Sequence, residues 1–388
     1  MAKTFEQINE KIKKGTAVVL TADEVARLAK TKSIEALAEE VDVVTTATFG
    51  PMCSSGAFLN FGHSDPPIKM AQLELNGVPA SGGLAAVDTY IGATEPSLDR
   101  GIQYGGAHVI EDLLRGNPVT LKARGFTTDC YPRKEVTAKV TLETLNQAYM
   151  FNPRNAYQNY SAATNSTDKK KFTYMGCVLP NFGNVMYSTS GQLSPLLKDP
   201  QLRTIGIGTR VFFGGAIGYV AWQGTQAVNG YEKFDDGAEM YSGYTLALIG
   251  DLKQMSPEFI RAAVMEAYGT TIFIGMGIPI PVLDAELMAQ LAKSDEELYT
   301  HIYDYGLGLL KKPTYRRVSY AELRSGSVEL NGKMVKTASL SSISKARTIA
   351  ERIKTMVKSG EFSLTQPVAP LPKTEKFKTM TMIGGEGI

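Results

Sequence analysis

The chain has 388 residues, of which 43% are hydrophobic and 21% are charged, and its net charge at pH 7 is +2. This length exceeds the roughly 250 to 300 residues that one hydrophobic core usually supports, so an elaborate domain or two lobes are expected. The near-neutral charge excludes a global field that would recruit nucleic acid or an anionic membrane. The longest apolar stretches are about a dozen residues, short of the roughly 20 that span a bilayer. We therefore predict that this chain is not a membrane protein.

Cysteine and histidine are scarce, with three residues of each. Their number and spacing fit neither a disulfide framework, nor a zinc site, nor a four-cysteine iron-sulfur cluster. We therefore expect this chain to bind no cofactor and no metal. The start of the chain has no apolar run of the signal-peptide type, which favours a cytoplasmic location.

A helix and a strand are predicted ahead of the first cysteine. Thr21 and Glu24 form a capping-box pattern that opens the helix, and the β-branched run 43–48 is typical of a strand. Cys53 is therefore expected on the loop that follows this strand.

The segment after that loop holds His63 and Asp65 beside two prolines. A histidine next to a carboxylate can serve as a general acid or base. The same pair is more often structural, and both interpretations stay open.

Cys130 is the best candidate for a nucleophile. Arg124, Arg133 and Lys134 surround it in the sequence, and nearby cations lower a thiol pKa, whereas burial raises it and the adjacent Asp129 would oppose the cations. The alternating pattern that follows predicts a strand, which places Cys130 in a loop or at a strand edge. The alternative is a small, buried core residue.

The segment 152–160 is dense in hydrogen-bonding side chains, among them Arg154, Asn155 and Tyr157. Such a segment can orient a polar metabolite, or it can be a turn whose asparagines satisfy their own backbone. Glycines cluster between 206 and 218, around Arg210. Three interpretations remain for this cluster: a cofactor cradle with an unusual spacing, tight turns between packed layers, and an Arg210 guanidinium presented to a substrate carboxylate.

The C-terminal half mixes helices and strands. Ser256 followed by proline, and the capping box that starts at Ser294, predict two helices. The apolar run 272–283 predicts a buried strand. The Asn-Gly pair at 331–332 indicates a hairpin.

An amphipathic helix is predicted over 343–357, and an extended, proline-rich tail over 366–388. The chain is therefore expected to have a mixed α/β fold. We predict one large unit over 1–365, with a division into two lobes left open, and the strand order does not follow from the sequence.

Five long motifs occur in an order that resembles one known family. They are Gly50-Pro-Met-Cys-Ser-Ser-Gly-Ala-Phe-Leu-Asn-Phe-Gly-His63, Thr128-Asp-Cys-Tyr-Pro-Arg-Lys134, Asn152-Pro-Arg-Asn-Ala-Tyr-Gln-Asn-Tyr160, Gly214-Gly-Ala-Ile-Gly-Tyr-Val-Ala-Trp-Gln-Gly-Thr225 and Gly275-Met-Gly-Ile-Pro-Ile-Pro281. The family is the homocysteine biosynthesis proteins of anaerobic archaea and bacteria, also called L-aspartate semialdehyde sulfurtransferases. The resemblance runs from residue 5 to residue 365.

The resemblance implies conversion of L-aspartate semialdehyde to L-homocysteine with sulfide-level sulfur, assisted by a ferredoxin-like iron-sulfur protein that supplies electrons. It places the family's essential cysteine at Cys130 and a second, less critical one at Cys53. Many relatives continue into paired nucleotide-sensing modules of the cystathionine-synthase type, and this chain is expected to lack them.

The overall chemistry constrains the mechanism. Turning an aldehyde into a thiol with hydrogen sulfide and loss of water consumes two electrons, which a partner or cysteine redox changes must supply. Our hypothesis is that Cys130 carries sulfur as a persulfide and that Cys53 resolves a disulfide. Arg154 or Arg210 would bind the α-carboxylate.

His63 or Asp65 would handle protons in this scheme, and Arg133, Asn155 and Tyr157 are further substrate-binding candidates. Two other classes of function stay open, namely a sulfur carrier or assembly subunit without catalysis and a cysteine-dependent enzyme for another aldehyde. Neither nucleic acid nor a membrane is an expected partner, and a homodimer is a candidate assembly.

Overall fold

The computed structural model describes residues 2–156, 161–226, 244–309, 312–372, 378, 380 and 381. Within these ranges the α-helices are α1 (Phe5–Lys13), α2 (Ala22–Leu28), α3 (Ile34–Glu40), α4 (Gly106–Leu114), α5 (Pro195–Lys198), α6 (Ala285–Ala292), α7 (Tyr320–Arg324) and α8 (Ile343–Lys358). The strands are β1 (Val19–Thr21), β2 (Val43–Pro51), β3 (Gly56–Asn60), β4 (Met70–Leu75), β5 (Val78–Ser81), β6 (Asp88–Gly92), β7 (Pro96–Ser97), β8 (Gly101–Gly105), β9 (Val119–Gly125), β10 (Glu135–Val140), β11 (Gln147–Ala156), β12 (Ala162–Thr164), β13 (Lys171–Thr173), β14 (Gly176–Val178), β15 (Asn184–Tyr187), β16 (Arg210–Phe213), β17 (Ala216–Gln223), β18 (Leu246–Asp251), β19 (Ile260–Met265), β20 (Gly269–Pro281), β21 (Tyr299–Asp304), β22 (Thr314–Ser319), β23 (Ser327–Leu330) and β24 (Lys333–Ser339).

A large sheet organises most of the chain. Its strands run in the order β1-β2-β20-β16-β17-β18-β11-β3-β6-β5-β4-β9-β10, and β19 pairs with β20 beside this path. The β1–β2 pair is parallel, and β2 and β20 pair antiparallel from Val43 opposite Pro281 to Pro51 opposite Phe273. The strands predicted at 43–48 and 272–283 are therefore confirmed, and they are neighbours in the sheet.

A second sheet, in the order β22-β21-β12-β15-β24-β23, has an apolar core of its own around Ile302, Val318 and Tyr320. The mixed α/β class is confirmed. The hairpin with the Asn-Gly turn is also confirmed, as β23 and β24.

Helix α8 confirms the helix predicted over 343–357 and covers the centre of the β2–β20 pair. Thr45 donates a hydrogen bond to the Ala350 carbonyl, at 2.9 Å. Helix α8 packs this closely on β20 because Gly275 and Gly277 have no Cβ. A side chain on either glycine would collide with an isoleucine of α8.

The predicted helices at Ser256 and Ser294 are wrong. The Ser294 amide does donate to the Glu297 carboxylate, at 2.9 Å, as the capping box requires, but only one turn separates it from β21. Ser256 likewise starts a single turn before β19. In both places pairing with a neighbouring strand outweighs the local helix-starting signal, because each strand hydrogen bond and buried side chain adds to the sheet.

The part of the tail that the structure describes is extended and packed. Val368 and Ala369 exchange main-chain hydrogen bonds with Ile207, and Leu371 is buried in the main core. A side chain at Gly206 would collide with Pro367, so here the glycine cluster allows two chain segments to approach closely. Of the three interpretations, the close-packing one accounts for this contact.

Candidate functional site

Cys130 lies on the loop that joins β9 to β10. The two strands are in register from Val119 opposite Val140 to Arg124 opposite Glu135, and those last two side chains form an ion pair at 3.1 Å. Reciprocal main-chain hydrogen bonds between Thr128 and Tyr131 close the loop. Cys130 is exposed, so its interpretation as a buried core residue is wrong.

Arg133 ties this loop to the segment that carries His63. Its guanidinium donates to the main-chain oxygens of Asp65, at 2.6 Å, and Pro66, at 2.9 Å, and its amide donates to Pro67. The His63 ring stacks on Tyr131, with ring centroids 5.9 Å apart.

The structure thus brings together the sequence candidates His63, Asp65 and Arg133 around the Cys130 loop. Asp65 takes part through its main-chain oxygen, while its side chain is exposed. Arg133 uses its guanidinium to hold the loop. We call the group of His63, Cys130, Tyr131 and Arg133 the Cys130 cluster.

Cys53 lies in the turn between β2 and β3 and is partly buried. The pairing of β2 with β20 continues one residue further to Met52, whose amide donates to the Ile272 carbonyl at 2.7 Å. Arg154 reaches this turn from β11 and donates to the Ser54 hydroxyl at 3.1 Å. The fully buried Asn152 orients the arrangement, since its amide group donates to the Ser55 hydroxyl at 2.9 Å and its oxygen accepts from the Arg154 amide at 3.1 Å.

Two residues that the sequence analysis did not single out lie at the same end of β20 as the Cys53 turn. Tyr268 lies in the turn between β19 and β20, and burial raises the pKa of its phenol, with Cys53 acting in the same direction and the Arg154 guanidinium against it. The Oγ1 of Thr271 is buried, and it is the one such side-chain atom within the described ranges that has no hydrogen-bond partner. We call Cys53, Ser54 and Arg154 the Cys53 cluster. The position of Thr271 near the end of β2 follows from the pairing of β2 with β20. Finding this residue from the sequence would therefore have required the strand order.

The two clusters lie at opposite ends of β3. Cys53 precedes its first residue, and the segment bound by the Cys130 loop follows its last residue, Asn60. The strand alone spans about 14 Å at roughly 3.4 Å per residue. Cys53, Cys130 and Cys177 form no disulfide, and a disulfide needs Cα atoms within roughly 7 Å of each other.

The remaining substrate-binding candidates lie elsewhere. Arg210 donates to the Ser363 hydroxyl at 2.5 Å. Phe212 is opposite Gly277, so the same register places Arg210 beside position 279 of β20. That position is six residues from Phe273, or about 20 Å at the usual strand rise. The structure therefore does not bring it to Cys53. The backbone of Asn155 belongs to β11, and Tyr157 falls outside the described residues.

Within the described residues, no group of three or more His, Cys, Asp or Glu side chains is arranged to hold a metal ion. No helix in the same ranges combines the length and the apolar character needed to cross a bilayer.

The fold and the two clusters define a mixed α/β protein that exposes one thiol and places another beside a guanidinium. The chain belongs to the homocysteine biosynthesis enzyme, sulfur-incorporation family, whose model matches residues 17–364. It is accordingly a sulfur-transferring enzyme of homocysteine biosynthesis.

The chain is similar to two proteins named L-aspartate semialdehyde sulfurtransferase. It is 51% identical over 378 residues to that of Methanosarcina acetivorans, covering 97% of this chain and 74% of the relative. It is 52% identical over 388 aligned residues to that of Methanocaldococcus jannaschii, covering 96% and 74%. An uncharacterized protein of Methanothermobacter thermautotrophicus is 30% identical over 83% of this chain and 72% of its own length. No solved structure matches the chain significantly.

Proposed function

We propose that this chain forms L-homocysteine from L-aspartate semialdehyde and sulfide-level sulfur, with Cys130 as the sulfur carrier. The observation that supports this most strongly is the exposed Cys130 thiol on a loop that Arg133 holds against the His63 segment. A carrier thiol must meet its donor, and exposure allows that meeting. The relatives' name supplies the substrate.

The Cys53 cluster fits the amino-acid end of the aldehyde. A guanidinium binds a carboxylate through two parallel hydrogen bonds, and Arg154 is the candidate arginine that lies beside a cysteine turn. Arg210, whose guanidinium bonds Ser363, is the weaker candidate for this role. His63, stacked on the neighbour of Cys130, is the candidate for proton transfer at the carrier thiol.

A balanced cycle follows from these roles. A mild thiol oxidant first removes two electrons from the Cys53 and Cys130 thiols and joins them as a disulfide. Hydrosulfide then cleaves this disulfide, which gives a Cys130 persulfide and a Cys53 thiolate. The terminal persulfide sulfur adds to the aldehyde carbon, and the adduct takes up two electrons and two protons and loses water. The Cys53 thiolate then attacks the resulting mixed disulfide at the Cys130 sulfur, which releases homocysteine and restores the disulfide. The net reaction consumes one hydrosulfide and two electrons for each aldehyde.

This cycle requires the two cysteine loops to approach, since β3 separates them. It also requires an external electron donor, for which we propose a ferredoxin-like iron-sulfur protein.

The test first incubates the oxidised chain anaerobically with sulfide and measures cysteine-bound sulfur by mass spectrometry. L-Aspartate semialdehyde and a chemical reductant are then added, and homocysteine is measured in the same way. Cys130→Ser is expected to abolish both signals. Cys177→Ser is the matched control, because Cys177 is a partly buried thiol in the β13–β14 hairpin, and it should behave as the wild type.

Other results would point to other functions. A persulfide without homocysteine would contradict catalysis by the chain itself and indicate a sulfur carrier. Full turnover by Cys130→Ser would contradict the carrier role of this thiol.

A further inference from the structure

Strand β10 forms an outer edge of the large sheet. It pairs with β9 on one side, and no strand within the described ranges pairs with its other side. The Gly125 amide of β9 donates to the Lys134 carbonyl at 2.9 Å, so the main-chain groups of position 134 face β9. Successive residues of a strand direct their main-chain groups to opposite sides. The amides and carbonyls of Glu135, Thr137 and Lys139 therefore face away from β9.

This outward edge has a defined length. The next outward amide toward the start of the chain, that of Arg133, donates to the Pro67 carbonyl at 3.2 Å. The next one toward the end of the chain, that of Thr141, donates to the Thr144 hydroxyl at 2.9 Å. Between these two bounds, the outward main-chain groups form no hydrogen bond with any described residue. Such a row of donors and acceptors is a template for a further strand, and Thr137 is its midpoint.

The side chains on this edge are complementary to a second copy of the same strand. An antiparallel pair centred on Thr137 sets Glu135 of each copy directly opposite Lys139 of the other. Opposite charges across two strands stabilise the pair, and like charges destabilise it. A shift of four residues in either direction would set Glu135 against Glu135 or Lys139 against Lys139. The charges thus favour the same centre that the bounds of the edge give.

The charged side chains of β10 are accessible to a second copy. Glu135 and its ion-pair partner Arg124 on β9 are 55% and 74% exposed at their side chains. Lys139 is exposed as well, and its ammonium donates to the Thr120 hydroxyl of β9 at 2.6 Å. In the pair centred on Thr137, each Glu135 carboxylate lies between Arg124 of its own chain and Lys139 of the other chain. It therefore has a cation on both sides.

We infer that two copies of this chain join through β10 into one continuous antiparallel sheet, with a two-fold axis at Thr137. Glu135 of each copy exchanges two main-chain hydrogen bonds with Lys139 of the other, and the two Thr137 residues exchange two more. The partner is a second copy of this chain, because the edge matches itself in length, in hydrogen-bond pattern and in charge. The interface begins two residues after Arg133, which holds the Cys130 loop.

The first test measures the dissociation constant of the dimer by analytical ultracentrifugation of the full chain. Glu135→Lys and Lys139→Glu should each weaken the dimer about 10- to 100-fold, because each replaces two attractions across the axis by repulsions. The double variant Glu135→Lys/Lys139→Glu exchanges the charges and should recover the dimer, which a variant that merely misfolds would not do. Lys358→Glu, at an exposed position of α8, is the control and should dimerise as the wild type does.

Three results of this measurement would overturn the inference. They are a monomeric wild type, a dimer that neither single change weakens, and a double variant that associates no more tightly than the single variants.

A disulfide test locates the interface. The Cα atoms of a hydrogen-bonded antiparallel pair are about 5.5 Å apart, within the range that a disulfide bridges, so Thr137→Cys should cross-link two copies under mild oxidation. Lys122→Cys is the matched control, because Lys122 lies opposite Thr137 on β9. Its equivalent across the axis is about 14 Å away, at roughly 4.8 Å for each strand spacing, so this variant should stay uncross-linked.

Both cysteine variants carry Cys130→Ser as well, because Cys130 is exposed and would otherwise cross-link by itself. A Thr137→Cys variant that stays uncross-linked would overturn the inference. Equal cross-linking of Thr137→Cys and Lys122→Cys would also overturn it, since random collision would then explain both.

Discussion

The Arg133 guanidinium donates a hydrogen bond to the main-chain oxygen of Pro66, at 2.9 Å, and a second one to the oxygen before it. These bonds join two loops that are 67 residues apart in sequence. They set the position of Cys130 relative to His63, because both residues lie on the joined loops.

Arg133→Lys should loosen the Cys130 loop without unfolding the protein. A lysine ammonium cannot reproduce the two-pronged geometry, so faster hydrogen exchange is expected at the amides of Thr128 and Tyr131. The free energy of unfolding should change by less than about 0.5 kcal/mol, as is usual at surface positions. Lys134→Ala is the control, because Lys134 is exposed. Unchanged hydrogen exchange in Arg133→Lys would contradict the idea that the guanidinium hydrogen bonds hold the Cys130 loop.

Thr271→Val should stabilise the protein. Valine has nearly the same shape and removes a buried hydroxyl that no described residue satisfies, which is expected to raise the free energy of unfolding by about 1 kcal/mol. Thr270→Val is the control, since the Thr270 hydroxyl donates to the Ala93 carbonyl at 3.2 Å and its removal should destabilise by a similar amount. Urea unfolding of both variants measures the difference, and an equal loss in both would refute the prediction.

Gly56 and Gly92 face each other across β3 and β6, yet alanine should destabilise the protein at Gly56 and be tolerated at Gly92. A Cβ at Gly56 would collide with the Tyr90 phenol and the Ile91 carbonyl, whereas a Cβ at Gly92 would meet only Tyr90 Cε1, at 3.9 Å. Gly56→Ala should cost roughly 1–3 kcal/mol, the range for overpacking. Gly92→Ala should change stability by less than about 0.5 kcal/mol. Thermal unfolding of the two variants measures the difference. Equal melting temperatures for Gly56→Ala and Gly92→Ala would contradict the prediction.

Because of Lys198, the free energy of unfolding should rise as the pH is raised above neutrality. Its side chain is fully buried and donates to the main-chain oxygens of Leu291 and Lys293. Burial lowers its pKa from 10.5 to about 7, against the opposing charges of Asp295, Asp23 and Glu297. Between these two values the unfolded chain binds a proton that the folded chain does not, so stability rises with pH in this window.

The comparison is with Lys198→Met, which cannot titrate. From pH 7 to pH 9 the wild type should gain about 2 kcal/mol relative to this variant, at roughly 1.4 kcal/mol for each unit of pKa difference. Urea unfolding at each pH measures the gain. Lys358→Met, at an exposed position, should show no such trend, and parallel pH profiles for the wild type and Lys198→Met would exclude a neutral lysine in the folded state.

The sequence by itself determined the parts of this protein that depend on short-range patterns. The β-branched run ending at Pro51, the apolar run ending at Pro281 and the helix Ile343–Lys358 all appear where they were predicted. Their periodicity and end signals lie within a few residues of each other, so local chemistry is sufficient. The loop position of Cys130 followed in the same way from the strand after it.

Only the tertiary structure decided which of these parts meet. The turns at Ser256 and Ser294 carry sound local signals for a helix and still enter strands, because sheet pairing supplies more contacts than one helical turn. The meeting of Arg154 with Ser54 joins positions 100 residues apart, and the turns that hold Tyr268 and Cys53 lie at the same end of β20 only because β2 and β19 flank that strand. Strand order creates these neighbours, and strand order depends on the summed burial and hydrogen bonding of the whole sheet, which no local pattern encodes.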